Sequence, residues 1–170
     1  IDEIMAKPYK KAKLLDFKNP DKYIGPHIGC KKGYGTNEGI RANAASGGMV
    51  TSLLCNLLKH GDIDGAWVTK TDFVNGELSY KTYVATEEEI RDASSSVYMT
   101  IPLLKHIDVI KNFNGKVAVV MTPCMLRGLD AILKKDDALR EKVVLKLGLY
   151  CSGTHSPKAT TLSMEKSGIP

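Results

Sequence analysis

The chain is 170 residues long, 43% apolar and +5 in net charge, a size and composition that fit one domain with a core of its own. Its basic pairs (Lys10-Lys11, Lys31-Lys32, Lys134-Lys135) are scattered with few aromatics among them, which argues against a nucleic-acid partner and suits a phosphorylated or polyanionic small molecule better. No apolar stretch approaches the roughly 18 residues of a membrane span, no secretory signal opens the chain, and four cysteines without disulfide-scaffold density point to a reducing, cytoplasmic setting.

In chain order, residues 1–25 are mixed and polar, with Pro8 and Pro20, and read as a surface lead-in. Residues 26–170 read as a single α/β domain. Pro26 to Gly39 carries Gly29, Gly33, Gly35 and Gly39 and predicts a short strand and loop. From Ser46 to His60 apolar residues fall at Met49, Val50, Leu53, Leu54, Leu57 and Leu58, the spacing of an amphipathic helix, ended by Gly61. Ile63 to Thr69 and Leu78 to Ala85 predict two strands around a polar turn with Asn75-Gly76, a hairpin that makes the sheet mixed. Thr86 with Glu89 is a capping box for a short helix, and Ile101 to Phe113 has the pattern of a second amphipathic helix. Val117 to Met121 is a buried strand. It runs into a helix from Pro123 to about Lys135, with Thr122 at the N-cap and Pro123 at the first helical position. A charged stretch from Asp136 to Lys142 and a second apolar run, Val143 to Tyr150, follow, and Ser156-Pro157 opens a last helix. Alternating strands and helices predict a central mixed, partly parallel sheet flanked by helices. The chain opens on Ile1 and stops at Ile169-Pro170 just after that helix, and reads as a piece of a longer polypeptide.

Three places carry candidate chemistry. Ala45-Ser46-Gly47-Gly48-Met49-Val50-Thr51 puts two glycines at a helix start, where free N–H groups with Ser46 and Thr51 make an anion cradle; the alternative is that Ser46 only caps a tightly packed helix. The segment is neither GxGxxG nor a Walker loop. Ser94-Ser95-Ser96-Val97-Tyr98-Met99-Thr100 offers Ser96, Tyr98 and Thr100 to a polar ligand, or uses its serines to satisfy its own backbone. Cys124, in the first turn of a helix whose dipole favours a thiolate, and Cys151, after the second apolar run, both sit at strand ends, where ligands gather in α/β sheets. They could be two metal ligands, a redox pair or a nucleophile. Cys55 lies among leucines and reads as core, Cys30 is ambiguous, and His155 has no acid or second histidine spaced to pair with it. The chain contains no CxxC, and four ligands are usual for zinc and iron–sulfur centres.

The order of these motifs resembles the coenzyme F420 hydrogenase/dehydrogenase beta-subunit family over residues 23–170. The match runs through Glu38-Gly39-Ile40-Arg41, Ala44 to Leu54, Ile63-Asp64-Gly65-Ala66, Ser96-Val97-Tyr98, Thr122-Pro123-Cys124 and Gly148 to Gly153. Val97 and Met125 depart from the pattern, in which lysine and glutamine are common there. The resemblance implies a cytoplasmic flavoprotein that carries FAD beside a 4Fe–4S cluster and passes electrons to a hydride carrier such as coenzyme F420. Its partner is a hydrogenase, formate dehydrogenase or similar redox subunit, or a soluble hydride carrier. It makes residues 26–170 a flavin-binding domain, incomplete at its C-terminal end. On the same resemblance Ser46, Gly47, Gly48 and Thr51 hold FAD phosphates, while Ser96, Tyr98, Thr100 and the backbone at Thr122 line the isoalloxazine. Cys124 and Cys151 are two of four cluster ligands; in the family the others come from a later CxxC. The other class open to the chain is a non-catalytic electron-transfer or docking subunit with a degenerate flavin site.

Overall fold

The computed structural model describes residues 27–74, 77–153 and 156–168. The lead-in at 1–25, the Asn75-Gly76 turn and His155 lie outside the described residues. The chain divides into two compact units, Ile1–Lys32 and Gly33–Pro170, and every element below belongs to the second.

Helix α1 (Glu38–Asn43) starts at Asn37, whose side chain accepts the Ile40 N–H at 3.0 Å. No strand occurs between residues 27 and 37. The glycine-rich segment instead lies irregularly, with the Gly35 N–H donating to the Gly47 carbonyl at 2.7 Å. A Cβ at Gly35 would come within 2.3 Å of Ser52 Oγ, so the close approach needs glycine there.

Helix α2 (Met49–His60) buries Thr51, Leu54 and Cys55 and closes at Gly61. The hairpin then follows: β1 (Gly65–Val74) pairs antiparallel with β2 (Glu77–Ala85), Ala66 opposite Ala85 and Val74 opposite Glu77. Both strands are part of one sheet in the order β2-β1-β3-β4, with β3 (Val117–Met121) and β4 (Val143–Gly148) running parallel to β1. The sheet is mixed and partly parallel, with helices on both faces. Strand β1 pairs with β3 only from Gly65 to Trp67, so the rest of the hairpin projects past the carboxyl end of β3.

Residue alternation assigns the two cores. Ala66, Val68, Ala85 and Ala118 face α2 and α3 (Glu87–Asp92), forming one cluster with Leu54, Cys55, Ile63 and Ile90. Small side chains on the sheet let those helices lie close. Trp67, Val117, Val119 and Met121 face the other way, onto α5 (Pro123–Leu133) and α6 (Asp137–Lys142), with Leu129, Leu133 and Leu139. The capping box forms as the sequence requires: the Thr86 N–H donates to Glu89 Oε2 at 2.8 Å.

One expected helix is broken. Residues 101–113 form a 3-10 turn (Leu103–His106) and then a four-residue α4 (Asp108–Lys111). Lys105 donates to the Pro102 carbonyl and Ile110 to that of Ile107, both three residues back. The tighter winding lets Leu103, Leu104 and Ile107 all reach the core beneath α5. Leu104 fills the space beside Gly128, where a Cβ would lie 2.5 Å from Leu104 Cδ1. The charged stretch after Asp136, in contrast, is a helix, because Asp136 accepts the Leu139 N–H at 3.0 Å and caps it. Strand β4 ends at Gly148, two residues short of Tyr150, although the Leu149 N–H still donates to the Met121 carbonyl. Helix α7 (Pro157–Lys166) follows Ser156 as expected.

Candidate functional site

The parallel strands order the site. Helix α2 ends beside Gly61, whose carbonyl takes Lys116 Nζ just before β3. Its end therefore lies at the amino edge of the sheet, twelve residues from its start. At that start the N-cap is Gly48, not Ser46, which is exposed two residues earlier. Gly47 and Gly48 have φ of +67° and +71°, a left-handed pair that side-chain-bearing residues resist. Among the described residues no side-chain cap bond is made at this start, so a helix of twelve residues presents its positive end without a side-chain cap. Thr51 is 7% exposed, one turn in. Arg41 lies 5.3 Å over the Tyr34 ring and donates to the Gly35 carbonyl at 3.3 Å, bracing the strap that packs on this turn.

Thr122 occupies the N-cap of α5, as the sequence requires, but its hydroxyl makes no capping bond. It lies 3.2 Å from Cys124 Sγ instead. Cys124 is exposed in the first turn, and Cys151 is exposed just beyond β4, its thiol 3.6 Å from the Gly153 carbonyl. Thr122–Cys124 and Tyr150–Cys151 leave neighbouring strands, which the Leu149 N–H to Met121 carbonyl bond of 2.9 Å still joins. Cys55 is buried in α2 and Cys30 is exposed in the other unit. Among the described residues no cluster of three or more histidine, cysteine or acidic side chains could hold a metal ion.

Ser96, Tyr98 and Thr100 are exposed on the segment linking α3 to the 3-10 turn. The Tyr98 carbonyl accepts the Thr160 hydroxyl of α7 at 3.0 Å. Ser94 ties this segment to the one leading into Gly48, its hydroxyl donating to the Asn43 carbonyl at 3.5 Å. Sequence reasoning missed two features nearby. One is a polar cleft of about 350 Å³ lined by Asn43, Arg91, Asp92, Ser94 and Ser95. The other is Tyr80, whose hydroxyl lies 3.1 Å from His106 Nε2 with the rings edge to face. Only the serines adjoining Ser96 hinted at the first, and nothing local signals the second, because the partners are 26 residues apart.

Comparison with known proteins matches this arrangement to one family across most of the chain. The family model of the coenzyme F420 hydrogenase/dehydrogenase beta subunit, N-terminal part, matches residues 30–108, and its C-terminal part matches residues 114–170. The chain belongs to this family. Within it, the uncharacterized protein MJ1349 of Methanocaldococcus jannaschii is 33% identical over 135 residues, covering 75% of this chain and 37% of its own length. The F420-dependent formate dehydrogenase 1 subunit beta of Methanococcus maripaludis is 30% identical over 122 residues, 71% of this chain and 30% of its own length. A chain of the F420-reducing [NiFe] hydrogenase complex from Methanosarcina barkeri, solved as a xenon derivative, superposes with a TM-score of 0.67 at 25% identity. That match covers 78% of this chain and 47% of the hydrogenase chain. The chain thus spans about a third of the length of the curated relatives it matches. Of these relatives, the formate dehydrogenase subunit is F420-dependent and the hydrogenase complex F420-reducing, as their names state. No helix among the described residues is long and apolar enough to cross a membrane.

Proposed function

We propose that this chain forms the flavin-binding part of a cytoplasmic redox subunit that passes electrons between FAD, a 4Fe–4S cluster and a hydride carrier such as coenzyme F420. Two observations support the reading: an α2 start with left-handed Gly47 and Gly48 and no side-chain cap, and two exposed thiols, Cys124 and Cys151, just beyond the ends of neighbouring strands.

The residues fit a dinucleotide phosphate. Ser46, Gly47, Gly48 and Thr51 hold it through first-turn N–H groups and hydroxyls, the two glycines supplying the left-handed turn that packs against Tyr34 and Ile40. Ser96, Tyr98, Thr100 and the backbone at Thr122 line the isoalloxazine. FAD supplies hydride and single-electron transfer when bound, and the chain positions it and sets its surroundings. That division of labour accounts for a site without a catalytic triad or carboxylate pair. Cys124 and Cys151 are soft, accessible donors suited to an iron–sulfur centre. They supply two of its four ligands, and the remaining two lie outside this chain. The electron partner is a soluble hydride carrier or a subunit of the hydrogenase or formate dehydrogenase kind.

Anaerobic purification followed by FAD titration, read by flavin fluorescence and the visible spectrum, tests the proposal. Stoichiometric binding is expected for the wild-type chain and loss of binding for Gly47→Val, with far-UV circular dichroism retained. A wild-type chain that binds no FAD overturns the reading and leaves the docking-subunit alternative.

A further inference from the structure

Charge is spread unevenly along the chain. Residues 1–100 carry thirteen Lys and Arg against thirteen Asp and Glu, so the whole excess of +5 belongs to residues 101–170, with eleven against six. An asymmetry of this kind favours a partner of opposite sign. Several of these cations are already used inside the fold. Lys111, Arg140 and Lys146 pair with Asp108, Asp137 and Asp130, while Lys116 and Lys142 donate to backbone carbonyls. Arg127, Lys134 and Lys135 are different: among the described residues they make no ion pair or hydrogen bond.

Those three share one face. Cys124, Arg127, Ala131, Lys134 and Lys135 are all exposed, and their spacing places them on one stripe of α5 and its C-terminal cap, about 16 Å long. The one acid in α5, Asp130, is taken by Lys146. Cations at a helix C-terminus complement the dipole, which accounts for Lys134 and Lys135 but not for Arg127, in the second turn. The first turn carries no acidic residue, so the positive end of the helix and Arg127 add to one another. No aromatic residue occurs between Thr122 and Lys142, and the face therefore lacks the platforms on which bases stack. Cations separated by a small Ala131 on a rigid helix suit the carboxylates of a protein surface.

From this placement we infer that the outer face of α5 docks the acidic surface of a protein partner, with Cys124 at one end of the contact. A single exposed ion pair is worth little, but an unopposed row of cations steers the encounter and fixes its orientation. The docking goes beyond the function proposed above. Only its use in electron transfer rests on that reading, because a cluster at Cys124 brings the redox path to this face.

The test is fluorescence anisotropy of a fluorescein-labelled peptide of about ten glutamates, a stand-in for an acidic face, titrated with the full chain. Binding in about 20 mM salt should weaken at least about tenfold in about 0.2 M salt, where screening is strong. Lys134→Glu with Lys135→Glu should weaken it at least about tenfold. Lys158→Glu with Lys166→Glu, which changes the net charge equally through exposed residues of α7, should weaken it less than about threefold, since only the first pair reverses the docking face. A wild-type chain that does not bind the peptide overturns the assignment, as does equal weakening by the two pairs. Duplex DNA of matched charge that binds more tightly than the peptide, and responds to the same α5 variants, replaces the protein partner with a nucleic acid. Should the α5 double variant fail to fold, judged by its melting transition, Lys134→Gln with Lys135→Gln and Arg127→Gln decide the question. A parallel FAD titration separates the two readings: peptide binding without FAD binding leaves the docking face standing and the flavin reading fallen, and the reverse result does the opposite.

Discussion

The Thr82 hydroxyl serves three partners: it accepts from Trp67 Nε1 at 2.6 Å, donates to the Val68 carbonyl at 3.1 Å and lies 3.4 Å from Thr69 Oγ1. Trp67 is 2% exposed, so its indole N–H has no route to water. Thr82→Val should therefore cost about 1–3 kcal/mol, the desolvation penalty of an orphaned donor. Urea unfolding followed by fluorescence measures it directly, because Trp67 is the only tryptophan; an unchanged midpoint would refute the bond's role. The cysteines divide by burial in the same way. Cys124 and Cys151 are exposed and Cys55 is buried. Alkylation at neutral pH with peptide mapping should label the first two in the native chain and Cys55 only after denaturation. Burial pushes the Cys55 thiol above its ordinary range, with nearby Arg91 partly opposing the shift. A raised pKa in the folded state means this contribution is fully present below the unfolded thiol's pKa and is lost as pH rises through the folded value. Stability should thus fall as pH rises above about 8.5, and fall less in Cys55→Ala; parallel profiles would contradict the assignment.

At the scale of elements, local signals succeeded where a cap or a breaker is written into the sequence. Thr86 with Glu89, Thr122-Pro123 and Ser156-Pro157 each open a helix at the position the residues dictate. Three elements were not legible, the first being α1 (Glu38–Asn43), where no helix was expected. The 101–113 segment has helical spacing, yet the packing of Leu104 beside Gly128 accompanies winding as a 3-10 turn. Helix α6 carries too little apolar pattern in its six residues to be read from periodicity. It forms because Asp136 caps it and Leu139, 2% exposed, anchors it. Asp136→Ala should cost about 1 kcal/mol, the usual worth of an N-cap side chain. Thermal unfolding would show the loss, and Asp136→Asn should restore most of it because the amide oxygen can still accept the Leu139 N–H.

At the scale of the whole molecule, the sheet is stable where it is covered on both faces and weaker where the hairpin outruns it. Val117, Ala118 and Val119 have no exposed surface, whereas β1 loses its β3 neighbour after Trp67. Two-stranded ribbons are marginal alone in water. Hydrogen exchange should therefore find β3 amides the slowest and those of residues 68–74 and 77–83 markedly faster; uniform protection along β1 would contradict this view. The sequence by itself determined the α/β class, the mixed sheet with its hairpin, the family and the strand-end positions of Cys124 and Cys151. Those features rest on periodicity, caps and motif order, which act within a few residues of the chain. Only the tertiary structure decided that Gly48 caps α2, that the Thr122 hydroxyl turns to Cys124, and that Asn43 and Arg91–Ser95 share a cleft. Each of these depends on packing between segments distant in sequence, where burial and the approach of one backbone to another select among locally equivalent arrangements.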